Sequence, residues 1–131
     1  MPSPPFPAVI VHSTAHVRLV RESAARLGMC PLLLTAPGAA AYAGVAYLKE
    51  MATLAPELDA VIDCGSEAGL AMAAIRVGWR DLHVAGDEVV LTKIGDMLDQ
   101  VGGRLRRDLP PALDLGAADD PGVALERYLA A

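Results

Sequence analysis

The sequence predicts an α/β fold: a mostly parallel sheet of about four to five strands with helices on both faces. Three observations predict it. Short apolar runs rich in β-branched residues recur about every 25 residues. Each run is followed by a segment whose apolar positions have helical spacing. The runs are apolar almost throughout rather than alternating, as strands covered on both faces are. A flavodoxin-like strand order is the first expectation, and half of a (β/α) barrel is the alternative arrangement of the same units.

Ala8-Val9-Ile10-Val11 forms the first apolar run and leads through His12 to Ser13-Thr14, residues that cap a helix. Val17, Val20, Ala24 and Leu27 then recur on one helical face, and Gly28 stands where a C-terminal glycine belongs. Pro31 to Thr35 is the second strand, followed by the turn Ala36-Pro37-Gly38. Val45, Leu48, Met51 and Leu54 mark the next helix, and Pro56 a break.

The third strand is Ala60 to Cys64, followed by Gly65-Ser66-Glu67. The helix after it, Gly69 to Val77, is apolar on nearly every face, with Arg76 its one charge. A helix of that kind is covered on both sides, and in a domain this small the second cover is a copy of the chain. Asp81 to Ala85 reads as a fourth strand with Gly86-Asp87 at its exit, and Asp87 and Glu88 suit the positive end of the following helix. That helix carries Val90, Ile94, Leu98 and Val101 and stops at Gly102-Gly103. Ala112 to Leu115 is the expected fifth strand and Pro121 to Leu129 a last helix.

A chain of 131 residues accommodates one domain, expected over residues 8–131 behind a flexible Pro-rich arm at 1–7. Aromatic residues make up only 4%, so the core is built from small and branched aliphatic side chains. Such a core gains from further burial in a homo-oligomer. The net charge of −5 argues against nucleic acid, whose phosphates require clustered Lys and Arg. The one basic cluster, Arg104, Arg106 and Arg107, reads as a solvated helix end or a partner for nearby acids. The uncharged stretch from Leu27 to Leu48 is interrupted by Pro31, Pro37, Gly38 and Gly44, so no membrane span is expected. Two cysteines and no secretory leader point to the cytoplasm, and the excess of Arg and Ala over Lys to a bacterial, GC-rich source.

Ligands of open α/β sheets bind beyond the carboxyl ends of the strands, where strand order reverses. A flavodoxin-like order makes the first and third strands neighbours. His12, Ser13, Thr14 and His16 would then meet Asp63, Cys64, Gly65, Ser66 and Glu67, with Gly86 and Asp87 on the same edge. The helix starts at Ser13-Thr14 and Gly65-Ser66, together with Glu67, Gly86 and Asp87, are candidate contacts for a small molecule or anion. Neither start has the spacing of a glycine-rich nucleotide loop. No cofactor is implied.

Four residues are candidates for chemistry. Asp63 is the first candidate general base. Cys64, ahead of a helix N-terminus, is a candidate nucleophile if a histidine activates it. His12 and His16 are the available imidazoles; the change from strand to helix between them denies the fixed geometry of a helical metal pair, so no metal site is expected. A small lyase, isomerase or hydrolase is therefore the alternative to a plain binding domain, and an oligomeric scaffold the third reading. Two familiar chemistries fail on their residues. Receiver domains end the third strand in an acidic phospho-acceptor, but this first strand ends in His12-Ser13 where they carry an acidic pair. A Schiff-base aldolase needs a lysine at a strand end, and Lys49 and Lys93 both fall within helices.

Overall fold

A computed structural model describes residues 7–130. The Pro-rich arm expected at residues 1–7 lies outside the described residues except for Pro7. The elements run β1 (Ala8–Val11), α1 (Thr14–Leu27), β2 (Leu32–Thr35), α2 (Ala39–Tyr42), α3 (Val45–Ala52), β3 (Ala60–Asp63), α4 (Ala68–Arg76), β4 (Asp81–His83), α5 (Glu88–Gln100), β5 (Arg104–Arg106), β6 (Leu113–Asp114) and α6 (Pro121–Ala130). The six strands form one all-parallel sheet flanked by helices, an architecture consistent with a flavodoxin-like or Rossmann-like fold.

The order across the sheet is β5-β4-β3-β2-β1-β6. The parallel α/β class is as expected, but two details are corrected. There are six strands rather than four or five, because Arg104–Arg106 forms β5 instead of a solvated helix end. And β2 stands between β1 and β3, so the first and third strands are not neighbours. Right-handed crossovers permit a parallel strand to settle on either side of its predecessor, and hydrophobic periodicity does not say which.

The chain forms two compact units. The first gathers residues 7–34, 51–60 and 110–130. Its core is the apolar stripe of α1, Val17, Val20 and Ala24, with Ala8, Val9 and Val11 of β1 and Leu125 and Leu129 of α6. α1 packs on both β1 and α6, and Arg26 forms an ion pair with Glu126 at the surface of that contact. β6 adds itself to β1 with Val9 opposite Leu113 and Ile10 opposite Asp114. Leu115, 1% exposed, anchors the 3-10 turn that follows β6.

The second unit comprises residues 35–50 and 61–109. Trp79, 1% exposed, donates its indole N–H to the carbonyl of Val45 at 3.0 Å. The Lys49 ammonium sits 5.2 Å from the indole ring centroid. Ile62 aligns with Leu82, and Leu82 with Leu105, in one apolar row. Asp63, His83 and Arg106 form the next row towards the carboxyl ends. Arg106 grips Asp81 with two hydrogen bonds of 2.8 and 3.0 Å, and Arg107 pairs with Glu88. The basic cluster thus serves nearby acids, and its alternation of Arg with Leu105 is that of an edge strand. α4 buries Ala71, Ala74 and Ile75 but leaves Met72 and Val77 about 40% exposed. Among the described residues no helix is long and apolar enough to cross a membrane.

Candidate functional site

The rule that places ligands where strand order reverses selects a different edge once the true order is known. From β1 the chain proceeds to β2 on one side, and the neighbour on the other side, β6, comes last. The carboxyl ends of β1 and β6 are therefore the candidate site. Both belong to the first unit.

His12 leaves the end of β1, and its Nε2 lies 2.6 Å from Oδ1 of Asp114, the last residue of β6. The two side chains remain about one third exposed, 34% and 38%. The amide of Gly116 donates to the same carboxylate oxygen at 2.9 Å, closing a short Asx turn after the strand. Burial pushes the Asp114 carboxyl upward. The hydrogen bonds from His12 and Gly116, with the charges of His12 and His16, outweigh it and hold the group below its usual value.

His16 joins the pair through the start of α1. Ser13 is the N-cap and its Oγ accepts the amide of His16 at 3.2 Å. The His16 ring reaches back, and its Nδ1 accepts the amide of His12 at 3.0 Å. The arrangement resembles a capping box in which histidine takes the place of Glu or Gln, displaced by one residue. Burial, and then the charge of His12, lower the pKa of His16, against an upward pull from Asp114. The two rings meet edge to face, 5.8 Å apart and at 87°.

Apart from Thr14, the other expected site residues belong to the second unit, where most act as local structure. Asp63 accepts the amide of Gly65 at 2.9 Å, and its own amide donates to Thr35 Oγ1 at 2.9 Å. Gly65 has φ 59°, a left-handed turn that glycine permits. Its carbonyl accepts the amide of Ala85 at 2.7 Å, next to Gly86. Asp87 caps α5 through the amide of Val90 at 3.0 Å. Ser66 is exposed, and Glu67 takes the N-cap position of α4 without a side-chain hydrogen bond. Thr14 is the first residue of α1. Cys64 is buried, and burial with the charge of Asp63 pushes its thiol up to about 12. The helix start ahead of it does not offset that cost, so at neutral pH Cys64 is a protonated, small apolar side chain.

Three functional candidates escaped the sequence reading. Asp114 was visible as a carboxylate in a weak fifth strand, and the spacing Asp-Leu-Gly after it is an Asx-turn signal. Gly116 is the glycine of that turn. His83, within an apolar strand, lies in register with Asp63 on β3, and its Nδ1 is 2.9 Å from the carbonyl of Arg106 on β5. Among the described residues no group of three or more His, Cys, Asp or Glu has the placement to hold a metal ion.

What the geometry offers chemically is an imidazole held by a carboxylate, about one third open to solvent, beside a second imidazole at a helix start. Compared with protein-family models and with curated proteins, the chain matches none.

Proposed function

We propose that this chain is a small-molecule-binding α/β domain whose site is the carboxyl edge of β1 and β6, with His12 as its proton-transferring group. The observation that carries the reading is the 2.6 Å bond between His12 Nε2 and Asp114 Oδ1. A carboxylate that orients an imidazole and stabilises its cation is the arrangement of a general base. A ligand carboxylate or phosphate would find unbonded amides at the start of α1, which is why a small anion belongs to the same reading. The enzymatic form of the proposal runs through His12 and Asp114, since Asp63 and Cys64 belong to the other unit. Its natural setting is a bacterial cytoplasm, where Cys30 and Cys64 stay as free thiols.

NMR titration of the labelled protein with a panel of small carboxylates, phosphate esters and neutral polar metabolites tests it. The expected result is saturable shift changes at His12, Ser13, His16 and Asp114 that disappear in His12→Asn. Changes confined to Asp63–Glu67 and Gly86-Asp87, or no saturable change, would overturn the assignment.

A second reading, self-association through α4, is favoured by the outward Met72 and Val77 on an otherwise apolar helix. Sedimentation of the protein and of Met72→Glu separates the cases. A dimer that becomes a monomer in the variant supports it, and a monomer from the start removes it.

A further inference from the structure

We propose that His12 and His16 are locked in opposite tautomers and act as base and hydrogen-bond donor towards one small carbonyl compound, an inference that rests on the β1/β6 edge being the binding site. The assignment follows from the hydrogen bonds. An ionised carboxylate only accepts, so His12 Nε2 carries the proton donated to Asp114 at 2.6 Å. The neutral His12 ring therefore keeps its lone pair on Nδ1. The His16 ring is the opposite case. Its Nδ1 receives the backbone N–H of His12 at 3.0 Å, so the proton of the neutral ring resides on Nε2. A proton on His16 Nδ1 would face that amide N–H donor to donor. None of the described residues bonds to His12 Nδ1 or to His16 Nε2.

One open acceptor and one open neutral donor thus stand on rings 5.8 Å apart. A carbonyl oxygen suits the donor, and a weakly acidic C–H beside that carbonyl suits the acceptor. The Asp114 charge at the centre disfavours a polyanion. In the step this pair supports, the proton on the carbon next to the carbonyl moves to His12 Nδ1. The C–H electron pair becomes the C=C bond of an enolate, and the carbonyl π pair moves onto oxygen, where His16 Nε2–H holds it. When the proton on Nδ1 swaps with one from solvent before it returns to the same carbon, the C–H is exchanged. Its return to the other carbon of the enediolate of a hydroxy ketone, with the hydroxyl proton passing from its own oxygen to the former carbonyl oxygen, isomerises the compound. Nothing is oxidised or reduced overall, and no co-reactant is needed.

Hydroxyacetone in deuterated buffer is the probe, with loss of its C–H signals followed by proton NMR. The wild-type protein is expected to exchange these protons on the order of a hundredfold faster than His12→Gln. His16→Gln rebuilds an ordinary Ser-x-x-Gln capping box, so α1 starts as before while the donor is lost. That variant should keep its melting temperature and the His12 Nε2–H signal, yet lose most of the exchange. Nitrogen-15 spectra of the unaltered protein read both tautomers directly and decide the inference even if His12→Gln fails to fold. A proton on Nδ1 of neutral His16 or His12, or equal exchange in wild type and His12→Gln, overturns it. Saturable hydroxyacetone shifts at the edge without exchange would sink the acid–base pair and leave the binding site standing. Absence of shifts there with hydroxyacetone and with the wider metabolite panel would sink the site itself.

Discussion

Gly116 lies against the face of His12: a Cβ built on this glycine would meet Nε2, Cδ2 and Cε1 of the ring, the latter two at 2.6 and 2.8 Å. Gly116 has an ordinary backbone conformation, so its requirement is steric and comes from a residue more than a hundred positions away. Without a side chain there, the ring reaches the Asp114 carboxylate and the Gly116 amide reaches the same oxygen.

Gly116→Ala is accordingly expected to push the His12 ring away and break the pair with Asp114. The ring is partly exposed and can swing outward, so the loss is about 1 kcal/mol rather than that of an overpacked core. Urea unfolding reads the stability, and the His12 Nε2–H resonance reads the bond. An unchanged resonance in the variant would refute the steric role.

Acid should weaken the first unit in two steps. The folded-state pKa of His16 lies below its unfolded value of about 6.5, so the unfolded chain binds the proton more readily. Stability from this group is complete above that pH and is lost as pH falls through the folded value. Asp114, also held low, contributes stability above the unfolded carboxyl value of about 3.9 that disappears below it. Thermal melts across this range should show both limbs in the wild type and the lower limb alone in His16→Gln.

The two thiols should separate cleanly. Cys30 is exposed, whereas Cys64 is buried with its thiol pushed up to about 12. A disulfide reagent near neutral pH is expected to label one equivalent in the native protein and a second only after unfolding. Rapid native labelling of Cys64 would restore it as a nucleophile candidate.

Gly103→Ala should be among the costliest single-methyl changes in the second unit. Its Cβ would stand 2.7 Å from the Arg80 carbonyl oxygen and 2.8 Å from Leu98 Cδ2. That carbonyl already accepts the Arg104 amide at 2.6 Å, so the backbone cannot give way without disturbing the β4–β5 pairing. A loss of roughly 1–3 kcal/mol is expected from chemical denaturation. A change within a few tenths would show that the turn relaxes freely.

Much of the fold was legible in the residues. β-branched runs at Ala8–Val11 and Ala60–Asp63 declared strands, and the stripe Val17, Val20, Ala24 declared the buried face of α1. Ser13 was readable as a helix cap and Asp87 as an acid at a helix start, because both depend on residues within one helical turn. β5 was not, since three residues rich in arginine resemble a helix end until Asp81 and the neighbouring strand are in place.

By itself, then, the sequence determined the class of the fold, the positions of most helices and strands, and the presence of His12, Ser13 and His16 at a strand exit. All of these depend on periods of two to four residues. Only the tertiary structure decided which strands are neighbours, and with that the chemistry of the edge. β6 docks beside β1 and brings Asp114 to His12 across 102 residues of chain, while Asp63 ends a strand that β2 separates from β1. Parallel pairing is set by crossovers and by burial summed over whole elements, so no local pattern could have named that partner.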